Sequence, residues 1–227
     1  MLPLHLEAPV GRPLSLLAIG AHPDDIEIGA GGTLLSLAET QPGLRVRYVV
    51  LTGTADRQLE ARNAAKAFLS AADATIELHD LPEGRLPAVS GQVKEVLEEV
   101  AQSCSPDVIL APSREDAHQD HRTVAEFVPT AFRDHLYLAY EIPKWDGDLC
   151  RPSVYVPLSA DIARRKVELL HKVFPSQRAR DWWDDEVFLG MARLRGMECR
   201  ARYAEAFTCA KSVILPPTSR QPGTPEV

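Results

Sequence analysis

His22, Asp24 and Asp25 crowd together in the stretch AHPDDIEIGAGG, residues 21–32, between an apolar run and a glycine cluster. A structural turn can use one aspartate as a helix cap, but it has no obvious need for a histidine and two carboxylates at once. A second cluster, EDAHQDHR over 115–122, places Asp116, His118, Asp120 and His121 behind another apolar run, DVILAPS. Two imidazoles and a carboxylate suit a borderline divalent cation such as Zn²⁺ or Fe²⁺. Three protein ligands leave a position open for water, as in catalytic rather than structural zinc sites. Such a cation brings the pKa of its water to about 7, and a carboxylate beside the ligands could accept the proton.

Each cluster alone has a plainer use. Asp24 or Asp25 would cap a helix near Gly31, and Asp120 a helix starting at His121. Two such clusters at two strand exits are harder to explain by capping. Dinucleotide binding fits less well, because GAGG lacks the G-x-G-x-x-G spacing, and no Walker A sequence is present.

The surrounding pattern supplies elements to position these residues. Residues 14–21 form a continuous apolar run suited to a strand buried on both faces. Helical character follows over 31–39, a strand over 44–52, an amphipathic helix over 57–72 and a strand over 75–81. A helix over 91–103, a strand over 107–113 and a helix from near His121 to Phe132 complete the series. This alternation predicts a doubly wound, mainly parallel α/β sheet with helices on both faces. In open sheets of that kind ligands bind beyond the carboxyl ends of the strands, where both clusters fall. After about residue 134 the pattern changes to HLYLAYEI, a loop PKWDGDLCRP, SVYVPLS, and helical stretches near 159–173 and 184–197, a smaller C-terminal β/α extension. No internal repeat or domain boundary is evident, so one domain over 1–215 is expected, with the Pro-rich segment 216–227 as a disordered tail.

The 227 residues are 45% hydrophobic and 25% charged, with a net charge of −7. That acidity argues against nucleic acid or an anionic membrane as the main partner. No run is long enough to span a membrane, and no basic start precedes an apolar run as in a secretory signal. Cys104, Cys150, Cys199 and Cys209 form no C-x-x-C pair, as expected for reduced cytoplasmic thiols.

AHPDD together with HQDH resembles the PIG-L/LmbE-like zinc-dependent N-deacetylases, whose fold is Rossmann-like. RQLEA (57–61), the Ser176-Gln177 pair and YAEAF (203–207) are similar to further landmarks of that family, so the resemblance runs from about 14 to 208. It implies zinc held by His22, Asp25 and His121, with Asp24 as the base that deprotonates the attacking water. His118 would stabilise the tetrahedral oxyanion or protonate the leaving amine, with Asp120 orienting its ring. Arg57 matches an arginine near the substrate, although a solvated charge at a helix start explains it equally well. Phe174 departs from the pattern, since family members often carry His or Tyr two residues before Ser-Gln. His171, about a turn earlier, is better explained by surface or packing contacts.

The resemblance implies release of acetate from an N-acetylated amino sugar or sugar conjugate. Bacillithiol-type precursors, polysaccharide precursors and antibiotic sugars all qualify, and Trp145 could stack on a sugar ring or simply pack. Many relatives assemble into trimers or hexamers, so a homo-oligomer is an expectation. The rival expectation is a metal-binding or regulatory protein without turnover. Asp24 and His118 argue against it, because binding a metal requires neither.

Overall fold

Leu16 and Ala18 of the first apolar run face one core, and Leu17 and Ile19 face the other. A strand covered on both sides has no polar face to show, which is why this run lacks alternation. The computed structural model describes residues 2–214, and segment 216–227, expected to be a disordered tail, lies outside them.

The strands are β1 (Ser15–Gly20), β2 (Arg45–Thr52), β3 (Asp73–Leu81), β4 (Val108–Pro112), β5 (Leu136–Tyr140), β6 (Val154–Leu158) and β7 (Tyr203–Thr208). They form one sheet in the order β3-β2-β1-β4-β5-β7-β6. Pairings from β3 across to β5 are parallel, and β7 is antiparallel to both neighbours. The helices are α1 (Asp25–Thr40), α2 (Ala55–Phe68), α3 (Ser90–Ser103), α4 (Gln119–Ala131), α5 (Ala160–Val173) and α6 (Asp185–Cys199). Apolar side chains of α1, α2 and α5 fill one core, while Val93, Leu97 and Val100 of α3 and Val124 and Val128 of α4 fill the other. The doubly wound α/β expectation holds.

The chain winds outward from β1 to β3, then returns to place β4 on the other side of β1. Strand order reverses there, leaving a crevice at the carboxyl ends of β1 and β4. Both polar clusters leave the sheet at that crevice.

Two elements differ from the sequence expectation. The first helix begins at Asp25 rather than near 31, so the GAGG stretch is helical. Its glycines serve close packing: a Cβ at Gly29 would collide with the ring of Tyr140 on β5. The second difference is β7, not anticipated as a strand because Glu205 interrupts its apolar run. That carboxylate is buried and accepts hydrogen bonds from the amides of Gly32 and Thr33 (2.7 Å each) and from Nζ of Lys166 (2.6 Å). Lys166 also donates to the carbonyl of Ile28 at 2.6 Å. Glu205 and Lys166 thus tie β7 and α5 to the middle of α1, below the turn that carries Asp25.

Candidate metal centre

Nδ1 of His22 and Nε2 of His121 lie 3.1 Å apart, brought together from opposite sides of the strand-order reversal. Asp25 completes a triangle, with Oδ1 3.2 Å from His121 Nε2 and Oδ2 3.6 Å from His22 Nδ1. Ligand atoms about 2.0–2.1 Å from a tetrahedral cation stand roughly 3.3 Å apart. The His22–His121 and His121–Asp25 Oδ1 distances are close to that spacing, while the other Asp25 oxygen is the one nearer His22. All three side chains are buried.

Local chemistry favours positive charge here. Burial opposes protonation of His22, but Asp25 and Asp120 outweigh it and push its pKa up to about 10. Burial likewise opposes charge on His121, yet Asp25 and Asp116 push it up to about 9. Asp25 itself is held well below the usual carboxylate range despite burial, by His121 and His22. A divalent cation among these donors would satisfy the same field, so the residues fit one. His22, His118 and His121 form an alternative set, with one ring nitrogen from each within 4.8 Å of the other two.

Outer carboxylates fix both proposed ligand rings. Asp120 Oδ2 lies 3.0 Å from Nε2 of His22, and the carboxylate accepts the amides of Gly84 (2.6 Å) and Leu86 (3.0 Å). Asp120 is expected to orient the ring of His118, and its carboxylate contacts His22 while its backbone amide contacts His118. In the first turn of α4 the Asp120 carboxylate reaches His22, Gly84 and Leu86, while its backbone amide donates to Nδ1 of His118 at 3.2 Å. His118 is therefore the cap of α4, a role the sequence pattern had offered to Asp120. Accepting at Nδ1 leaves the His118 proton on Nε2. Asp116 Oδ2 approaches Nδ1 of His121 to 2.9 Å, as a close ionic contact rather than an aligned hydrogen bond. Both His22 and His121 thus have a carboxylate behind the ring, an arrangement that orients imidazoles where they bind metal.

Asp24 occupies the N-cap position of α1, but its side chain caps nothing. Its backbone sits at φ 108°, ψ −24°, in the left-handed region. A non-glycine residue there carries roughly 1–3 kcal/mol of strain, and its surroundings must hold it in place. Arg57 does so: Nη2 donates to Asp24 Oδ2 at 2.9 Å and also to the carbonyl of Pro23. Burial pushes the Asp24 carboxyl up to about 6, against the pull of Arg57. Arg57 is no solvated charge, since Nη1 also bonds Glu60 and Ser176 at 2.9 Å each and the guanidinium lies 5.9 Å from the ring centre of buried Phe174.

Sequence reasoning left Asp116 and Lys144 out of the site. Lys144 Nζ is 3.0 Å from Asp116 Oδ2, a contact that no local spacing announces. Trp145 is 64% exposed, with Nε1 donating to Asp181 at 3.0 Å. His171 bonds Asp185 at 2.7 Å and packs against Trp183 and Phe188, in keeping with the packing role expected of it.

Residues 17–132, which span both histidine clusters, match the family model PIG-L: GlcNAc-PI de-N-acetylase. The chain belongs to the PIG-L family. It is 34% identical over 145 residues, 56% of this chain and 74% of the relative, to the uncharacterized deacetylase YaiS of Escherichia coli (strain K12). Among solved structures it is similar to the N,N'-diacetylchitobiose deacetylase of Pyrococcus horikoshii (TM-score 0.67, 22% identity, 90% of this chain and 86% of that one). It is also similar to GalB, the 4-carboxy-2-hydroxymuconate hydratase of Pseudomonas putida KT2440 (TM-score 0.69, 17% identity, 91% and 100%). At these identities the likeness is one of fold, and the fold carries more than one reaction. PIG-L membership makes this a chain of a deacetylase family.

Proposed function

We propose that this PIG-L chain is a metal-dependent N-deacetylase that removes acetate from an N-acetylated amino sugar or sugar conjugate of the GlcNAc type. The observation that carries the reading is the close triangle of His22, Asp25 and His121 with a strained, non-capping Asp24 beside it. His22, Asp25 and His121 hold the cation, taken as zinc, with Fe²⁺ or another divalent ion as the alternative. When bound, it supplies Lewis-acid polarisation of the amide carbonyl and makes water more acidic.

The remaining steps belong to side chains. Asp24, ionised at neutral pH, takes a proton from the attacking water, and a new C–O bond forms at the amide carbon. His118 presents Nε2–H to the oxygen that gains charge in the tetrahedral state. The C–N bond then breaks, and the proton held by Asp24 passes to the leaving nitrogen, giving a free amine and acetate. Arg57 keeps Asp24 aimed and ionised, and lies where it can also touch substrate. Asp120 acts through His22.

A metal-binding protein without turnover would gain nothing from a strained aspartate held by an arginine next to the ligands. The test is acetate release from a panel of N-acetyl sugars and conjugates by the zinc-loaded protein. Release from none of them, with one zinc bound per chain, would favour the non-catalytic alternative.

A further inference from the structure

The segment between β5 and β6 is pinned at both ends. Arg195 of α6 grips Glu141 through Nε (2.6 Å) and Nη2 (2.7 Å), and Nη2 reaches the carbonyl of Cys150 at 3.2 Å. Between these anchors Lys144 turns inward, its side chain only 10% exposed. Its ammonium sits between Asp116 Oδ2 (3.0 Å) and Asp148 Oδ2 (2.5 Å). Asp148 Oδ2 in turn accepts the amide of Ala117 at 2.6 Å. Asp116 is shared further: Oδ1 accepts the amide of His118 at 2.7 Å, and Oδ2 faces the His121 ring. One carboxylate therefore meets a loop lysine, the backbone of one histidine and the ring of another.

We propose that Lys144 is a positioning residue that couples the 141–153 loop to the metal centre, so that loop order and cation affinity rise and fall together. The inference rests on the reading of His121 as a ligand. Removing an almost buried lysine takes the shared ammonium from between two carboxylates, which separates this pair from an ordinary surface ion pair. Asp148 is left with the Ala117 amide, and Asp116 with the His118 amide and the His121 ring. Asp116 freed of Lys144 can turn away from His121, and the ring then loses the group that aims Nε2 at His22 and Asp25. Cation binding must pay to restore that orientation. By linkage the converse holds: a cation that fixes His121 fixes Asp116, and through Lys144 it fixes the loop. The next residue is Trp145, 64% exposed, whose indole donates to Asp181, so loop order set by Lys144 extends to that side chain.

The test uses Lys144→Met, which keeps the aliphatic stem, and Lys144→Arg, which keeps the charge. Zn²⁺ affinity is measured by competition with a chromophoric chelator, and amide hydrogen exchange over residues 142–149 is followed with and without Zn²⁺. Loss of a partner behind a metal-ligating histidine costs on the order of 10–100-fold in affinity. Lys144→Met should weaken Zn²⁺ by about 10-fold or more and abolish the Zn²⁺-dependent slowing of loop exchange, whereas Lys144→Arg recovers both in large part. Should Lys144→Met not fold, Asp148→Asn carries the same test with a smaller loss. Wild-type affinity and wild-type Zn²⁺-dependent protection in Lys144→Met, or in Asp148→Asn where that variant stands in, overturn the proposal. So does a wild-type loop whose exchange ignores Zn²⁺. None of these readouts involves acetate, so failure of the deacetylase reading would be seen separately.

Discussion

Nδ1 of His22 and Nε2 of His121 face each other at 3.1 Å across 99 positions of sequence, with Asp25 touching both. Two buried imidazoles aimed at one point need a proton or a cation between them, and the carboxylates around them supply the compensating charge.

The adjacent aspartates should separate by phenotype. Asp25→Ala is expected to lose both metal and activity, whereas Asp24→Asn keeps the metal and loses about 10²–10⁴ in turnover, the usual cost of removing a general base. His118→Ala should resemble Asp24→Asn. Metal content measured beside rate checks this, and a metal-free His118→Ala would move the ligand set to the three histidines.

Asp120→Asn tests which ring the Asp120 carboxylate serves. Because Asp120 lies against His22, its loss should weaken metal affinity by about 10–100-fold, as for other carboxylates behind a ligating histidine. If the variant keeps full affinity and loses only turnover, Asp120 acts on His118 after all.

Arg57 opposes the burial that raises Asp24. In Arg57→Met the Asp24 carboxyl should protonate at higher pH, so the acid limb of the kcat/KM profile moves upward relative to wild type. An unmoved acid limb would detach Arg57 from the base.

Much of this arrangement is legible in the chain. The βα alternation places HPDD and HQDH at strand exits, and apolar runs in β1 and β4 mark central strands. Other parts depend on long-range contact that no periodicity carries. The side chain behind His22 comes from Asp120, and the one behind Asp116 comes from Lys144 in a loop that looks irregular. Glu205 hides β7 because a charged residue inside a short apolar run reads as exposed until Lys166 and two helix amides are found around it. The backbone of Asp24 is equally silent: a residue type that often caps helices sits at a cap position and does something else.

Glu27 offers a stability test. It is fully buried beside Tyr48, and burial first, with smaller contributions from Asp24 and Asp25, raises its pKa from 4.5 to about 8. Between those values the unfolded chain has lost a proton that the folded chain keeps. Glu27 therefore lowers stability progressively as pH rises through that window, and its stabilising contribution is complete only below it. Glu27→Gln should remove that part of the slope, so metal-stripped variant and wild type diverge in favour of the variant from pH 5 to 8 in urea titrations. Parallel curves would mean that Glu27 is ionised in the folded protein.

The most direct measurement is elemental analysis of the purified chain coupled to acetate release before chelation, after it, and after add-back of Zn²⁺. The account predicts about one divalent ion per chain, loss of hydrolysis on stripping, and recovery on add-back. Full acetate release from protein stripped of all metal would contradict it.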